Sequence, residues 1–146
     1  MDDNLIEVLL IEDDPVDARL LEKMLAAVHY YTYVIECVDR LSKGLKRLTE
    51  KRFDVVLLDL NLPESEGLIA FNLVRKNAPE TPVVVLTNLD DEAVAIKAVR
   101  EGAQDYLLKG MISKDWLMRS IRYAIERQKF IGKLGSSLNR IDAVIE

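Results

Sequence analysis

Four successive apolar residues, Val55-Val56-Leu57-Leu58, lead into Asp59, and Pro63 prevents the strand they suggest from continuing. A run that is apolar on both of its faces has to be covered on both. That requirement is met by a central strand of a parallel sheet with helices packed on either side. Open sheets of this kind place their chemistry at the carboxyl ends of the strands, which is where Asp59 falls. Taken alone, Asp59 reads equally well as a loop aspartate capping the next helix. The rest of the chain has to decide.

Four other segments repeat the pattern. Leu5 to Ile11 is nearly all apolar and ends in Glu12-Asp13-Asp14, after which Pro15 opens a helix capped by Asp14, with Ala18, Leu21, Leu25 and Val28 on one face. Thr32 to Val38 alternates as a strand, and Asp39 opens a helix with Leu41, Leu45 and Leu48 on its buried side. Beyond Asp59, Gly67 starts a helix carrying Leu68, Phe71 and Val74, and Pro79 and Pro82 bracket the turn before Val83-Val84-Val85-Leu86. Asp91 is placed to cap a helix with Val94, Ala95, Ala98 and Val99, which Gly102 terminates. Asp105-Tyr106-Leu107-Leu108 forms a fifth strand ending at Lys109, and Ser113 caps the last helix. Five strands alternating with five helices predict an α/β fold around a parallel sheet, with right-handed crossovers.

Composition narrows the function classes. A chain of 146 residues suits one domain that needs no disulfides, followed by a tail. The single Cys37 rules out an internal disulfide framework, the acidic start Met1-Asp2-Asp3-Asn4 does not resemble a secretory signal, and a reducing, cytoplasmic setting is expected. No apolar run approaches the roughly 20 residues of a membrane helix. The formal net charge of −5 argues against a nucleic-acid binder.

The strand ends carry the functional signal. Strands one, three, four and five end in Glu12-Asp13, Asp59, Thr87 and Lys109, and a parallel sheet brings all of these to one edge. A helix cap explains any one of them, but not the convergence of carboxylates, a hydroxyl and an ammonium. Like charges about 4 Å apart repel by roughly 4 kcal/mol at an effective dielectric near 20, so Glu12, Asp13 and Asp59 call for a cation or for bound protons. All-oxygen ligands favour a hard ion such as Mg²⁺, which commonly bridges to phosphate oxygens. With His29 the sole histidine and Cys37 in an apolar strand, both are assigned ordinary surface and core roles, and zinc is not expected. Asp59 could then attack a phosphorus centre in line, giving an acyl phosphate, with Lys109 and Thr87 complementing the phosphoryl oxygens.

The motifs resemble a known family. Leu-Leu-Ile-Glu-Asp-Asp-Pro at 9–15, Val-Val-Leu-Leu-Asp-Leu-Asn-Leu-Pro at 55–63 with Gly67, Val-Val-Leu-Thr at 84–87 and Gly-Ala-Gln-Asp-Tyr-Leu-Leu-Lys at 102–109 are similar to those of response regulator receiver domains of two-component systems. The resemblance covers Leu5 to about Gln128 and implies a flavodoxin-like sheet of order 2-1-3-4-5. It implies Asp59 as the phosphoacceptor, phosphorylated by a histidine kinase or phosphotransfer protein. Asp13 would be the direct Mg²⁺ ligand, Glu12 an acidic partner acting through water, and Asn61 a ligand through its backbone carbonyl. Thr87 and Tyr106 would be the switch pair reshaping the face of helix four, strand five and helix five. The domain would assist its own phosphotransfer and dephosphorylation without being an enzyme in its own right.

Two positions depart from the family pattern: Gly110 stands where proline usually follows the lysine, and Asn88 where a small residue usually follows the threonine. Without a proline, the Lys109-Gly110 peptide is expected to be trans. Asn88 could narrow access to the site or add a polar contact. Residues 1–128 are read as the receiver and 129–146 as a helical extension or linker. Ile131, Leu134, Leu138, Ile141 and Ile145 follow the spacing of a coiled-coil seam, one route to a homodimer, although Gly132 and Gly135 weaken it. A broken or separately docked helix is the alternative. Three rivals share parts of the pattern. A phosphatase of the haloacid dehalogenase type would need a second acid at Asn61. A flavin module would need a phosphate-cradling turn where this chain is acidic. The third is a receiver-like module that is never phosphorylated.

Overall fold

The computed structural model describes the backbone of residues 4–145 and the side chains of residues 4–131. Strand β1 (Leu5–Ile11) is followed by α1 (Pro15–Ala26), β2 (Thr32–Val38), α2 (Leu41–Glu50), β3 (Val55–Asp59) and α3 (Gly67–Asn77). Then come β4 (Val83–Thr87), a short 3₁₀ turn (Leu89–Asp91), α4 (Glu92–Arg100), β5 (Asp105–Leu108) and α5 (Lys114–Ile145). The strands form one parallel sheet in the order β2-β1-β3-β4-β5, as the flavodoxin-like reading anticipated.

Strand periodicity sorts the core into two layers. Leu9, Ile11, Val56, Leu58, Val83 and Val85 pack with α2, α3 and α4, through Leu48, Phe71, Val74 and Ala98 among others. Their neighbours Val8, Leu10, Val55, Leu57, Val84 and Leu86 face the opposite way, against Leu21 and Leu25 of α1 and Leu117 and Ile121 of α5. Every residue of β3 and β4 is buried, which accounts for their unbroken apolar runs.

Local capping decides where several helices begin. Asp14 Oδ1 accepts from the Val16 amide at 2.8 Å, with Pro15 at the first helical position, and Ser113 Oγ accepts from the Trp116 amide at 3.1 Å. Helix α2 differs from expectation. Asp39 does not open it but pairs with Lys43 at 2.8 Å, and the helix starts at Leu41, whose amide donates to Glu64 Oε1 on the loop after β3. Ser42 Oγ donates to the same carboxylate. The cap thus comes from 23 residues away. Asp91 occupies the N-cap position of α4 but makes no side-chain cap bond; its Oδ2 accepts from the Asn61 side chain.

Cys37 is also corrected. It lies on the edge strand β2 and is exposed rather than part of the core. Partial desolvation, then the charges of Glu22, Glu12 and Asp39, push its thiol up to about 11, so it stays protonated at neutral pH. No cis peptide occurs among the described residues, so the Lys109-Gly110 peptide is trans as expected. Helix α5 runs unbroken through Gly132 and Gly135 to Ile145. Ile131 is exposed, whereas Leu134, Leu138, Ile141 and Ile145 lie outside the residues whose side chains are described.

Candidate functional site

Because all five strands are parallel, their carboxyl ends share one edge, and Glu12, Asp13, Asp59, Thr87 and Lys109 gather there. Register is kept past the strand ends: the Glu12 amide donates to Val38 O at 3.0 Å, the Leu60 amide to Leu86 O at 2.9 Å, and the Lys109 amide to Thr87 O at 2.8 Å. Glu12 and Asp59 are each 1% exposed and Thr87 is fully buried, while Asp13 faces solvent. One carboxylate oxygen from each of Glu12, Asp13 and Asp59 lies within 4.8 Å of the others.

The Lys109 ammonium lies 2.7 Å from Glu12 Oε1 and 3.1 Å from Asp59 Oδ2. Neither oxygen accepts a hydrogen bond of good geometry from any described residue. Burial, then the neighbouring Asp59 carboxylate, pushes Glu12 up to about 8, against the opposing pull of Lys109. Burial works against the Lys109 charge, yet its close contact with Glu12 and the Asp59 and Glu12 charges outweigh it and hold the ammonium above the usual lysine range. With both ionised, two buried carboxylates beside one ammonium leave the site short of positive charge. The donor set is all oxygen, which fits a hard divalent cation.

The Asn61 amide donates to Asp59 Oδ1 at 2.9 Å, which fixes that oxygen. The Asn61 side chain spans to the loop after β4, donating to Asp91 Oδ2 at 2.7 Å and accepting from the Asn88 amide at 3.2 Å. This contact uses the Asn88 backbone, which any residue but proline would supply. Gly67 brings α3 close to this loop, since a Cβ there would lie 2.8 Å from both the Cβ and the carbonyl oxygen of Leu60, the residue after Asp59. Thr87 Oγ1 donates to Asn88 O at 3.3 Å. Tyr106, half-buried on β5, donates its hydroxyl to Glu92 Oε2 at 2.8 Å, a bond that raises the phenol's pKa.

Three contributors escaped the sequence reading. Asp17 Oδ2 is a third carboxylate on Lys109, at 3.4 Å, and its position in the first turn of the helix behind the acidic run was the available signal. Asp91, read only as a helix cap, instead accepts from the Asn61 side chain, and Glu92, which the sequence reading did not single out, accepts from the Tyr106 hydroxyl. A family model for the response regulator receiver domain matches residues 8–122, most of the chain. The chain belongs to this family.

The receiver is 31% identical over 124 residues to the cell cycle transcriptional regulator CtrA of Caulobacter vibrioides, covering 85% of this chain and 52% of that protein. It is 30% identical over 129 residues to the hybrid signal transduction histidine kinase G of Dictyostelium discoideum, covering 84% of this chain and 4% of that protein. The chain therefore spans about half the length of one curated relative and a small part of the other. A receiver domain from Clostridium thermocellum superposes with a TM-score of 0.76 at 27% identity, covering 86% of this chain and 98% of that one. The receiver domain of a sensor histidine kinase from Pseudomonas aeruginosa, solved with a magnesium ion coordinated in its active site cleft, gives 0.70 at 28% identity, covering 83% and 98%. Receivers are the signalling modules of two-component systems, and this one has no described helix long and apolar enough to cross a membrane.

Proposed function

We propose that this receiver accepts a phosphoryl group on Asp59 from a histidine kinase or phosphotransfer protein, in a Mg²⁺-dependent reaction. The observation that carries the reading is the pair of buried carboxylates, Glu12 and Asp59, facing one ammonium with two oxygens left without hydrogen bonds. Asp59 Oδ1 is held by the Asn61 amide, so Oδ2 is the oxygen that attacks phosphorus. A new O–P bond forms as the bond from phosphorus to the donor breaks, and the donor atom leaves with the electron pair. Lys109 and the Thr87 hydroxyl complement the charge on the phosphoryl oxygens. Asp13, Asp59 and the Asn61 carbonyl would hold the cation, with Glu12 acting through water. When bound, Mg²⁺ supplies positive charge for the transferring oxygens.

Thr87 and Tyr106 form the switch pair in this reading. The Thr87 bond to Asn88 O is long and easily exchanged for a phosphoryl oxygen, and Tyr106 would then give up Glu92 and turn inward. That changes the surface of α4, β5 and α5 offered to a downstream partner or output domain. Residues 1–128 constitute the receiver in this proposal, with 129–146 a helical extension able to self-associate or to join a further domain.

The test is intact-mass measurement after incubation with acetyl phosphate and Mg²⁺. Wild type should gain one phosphoryl group; Asp59→Asn, or wild type with a chelator, should gain none. Equal gain in wild type and Asp59→Asn would overturn the assignment, and no gain in wild type would favour a receiver that works without phosphorylation.

A further inference from the structure

The Lys109 ammonium is shared among three carboxylates from three elements: Glu12 after β1 at 2.7 Å, Asp59 at the end of β3 at 3.1 Å, and Asp17 on α1 at 3.4 Å. An ammonium has only three donors, so three carboxylates at ion-pair distance compete for it. The first two belong to the buried acidic cluster; Asp17 is half-buried and stands outside it. A cavity of about 70 Å³ lined by Glu12, Asp17, Met24, Lys109, Gly110 and Ile112 lies on the α1 side of the lysine. The side chain therefore has space to lean that way.

A phosphoryl group on Asp59 brings oxygens that need the same ammonium. Glu12 is fixed by burial, so the partner able to compete with those oxygens is the solvated one. We propose that Asp17 is a positioning residue for Lys109: it draws the ammonium toward α1 and so weakens the grip of Lys109 on a phosphoryl group at Asp59. This rests on the reading of Asp59 as phosphoacceptor. It differs from a plain role of Asp17 as a first-turn acid favouring the N-terminus of α1, because that role would not act through Lys109.

The experiment titrates the full chain with beryllofluoride, a tetrahedral stand-in for the phosphoryl group, in Mg²⁺ and followed by calorimetry. Asp17→Asn should tighten binding about threefold to tenfold, whereas Glu22→Gln, which removes a charge from the same helix but not from Lys109, should change it less than twofold. In a Lys109→Ala background the gain from Asp17→Asn should fall below twofold; where that background binds too weakly to titrate, the Glu22→Gln comparison decides. Asp17→Glu, which keeps both charge and reach, should stay within twofold of wild type and covers the case in which Asp17→Asn fails to fold. In the protein without ligand, the NMR signal of the Lys109 ammonium should shift in Asp17→Asn and not in Glu22→Gln. Unchanged or weaker binding in Asp17→Asn, an equal gain in Glu22→Gln or in the Lys109→Ala background, an unshifted ammonium signal, or Asp17→Glu departing more than twofold from wild type would overturn the proposal. A wild type that binds no beryllofluoride would instead overturn the phosphoacceptor reading on which it rests.

Discussion

Gly110 has a φ of +85°, a backbone conformation that proline cannot adopt and that other L-residues reach only with strain. A Cβ at this position would meet nothing within 4 Å, so the demand comes from the dihedral angle and not from crowding. Gly110→Ala should therefore cost about 1–2 kcal/mol in urea unfolding, and Gly110→Pro should cost more because the loop must refold around it. A loss for Ala below about 0.5 kcal/mol would mean the loop relaxes freely, since misplaced side chains at positive φ normally cost more than that. The sequence marked Gly110 as a departure but could not show its dihedral angle. Asp59 and Lys109 were legible for the opposite reason: each directly follows or ends an apolar run, and the parallel arrangement does the rest. Asp17 was missed because its role depends on which way a lysine from the far end of the chain turns.

Among the elements, the loop from Leu60 to Glu66 is fixed at both ends by contacts of different kinds. Glu64 caps α2, and removing that cap by Glu64→Ala should lower stability by about 1 kcal/mol while leaving phosphorylation by acetyl phosphate within about threefold of wild type, since the loop next to Asp59 keeps its Asn61 bonds. Gly67→Ala acts nearer the chemistry. Its methyl would press on the Cβ and carbonyl of Leu60, so stability should fall by about 1–3 kcal/mol, and phosphorylation should slow with it because Leu60 adjoins Asp59. Thermal unfolding and intact-mass time courses on the two variants would separate them; a Gly67→Ala protein that phosphorylates at the wild-type rate would show that the loop yields without moving Asp59. The caps of α1 and α5 could be read from local sequence because donor and acceptor are two or three residues apart. The cap of α2 could not, because only tertiary structure brings Glu64 to Leu41.

For the whole molecule, the charge balance at the sheet edge links pH, metal and stability. Glu12 has its pKa raised in the fold, so its contribution is fully present below the ordinary carboxylate value of 4.5 and is lost as pH rises through about 8. A cation bound by the deprotonated carboxylates opposes that loss. The rise in melting temperature on adding Mg²⁺ should thus be larger at pH 8 than at pH 6; an equal rise at both would place the ion elsewhere. Deleting residues 129–146 should leave phosphorylation by acetyl phosphate intact, and light scattering before and after deletion tests self-association through the tail. A mass of one chain in both cases excludes it.

The groups at this edge belong to β1, β3, β4 and β5, so no contiguous stretch of the chain contains the site. In an unfolded chain Asp59 is one aspartate among many, without the ammonium, the hydroxyl or the neighbouring carboxylates. Reactivity toward a phosphodonor is then a property of assembly rather than of any segment: two fragments cut between α3 and β4 should each be inert, and mixing them should restore modification of Asp59 only to the extent that β3 and β4 pair again. The phosphoryl label would then count reassembled molecules, a covalent record of folding written at a single carboxylate.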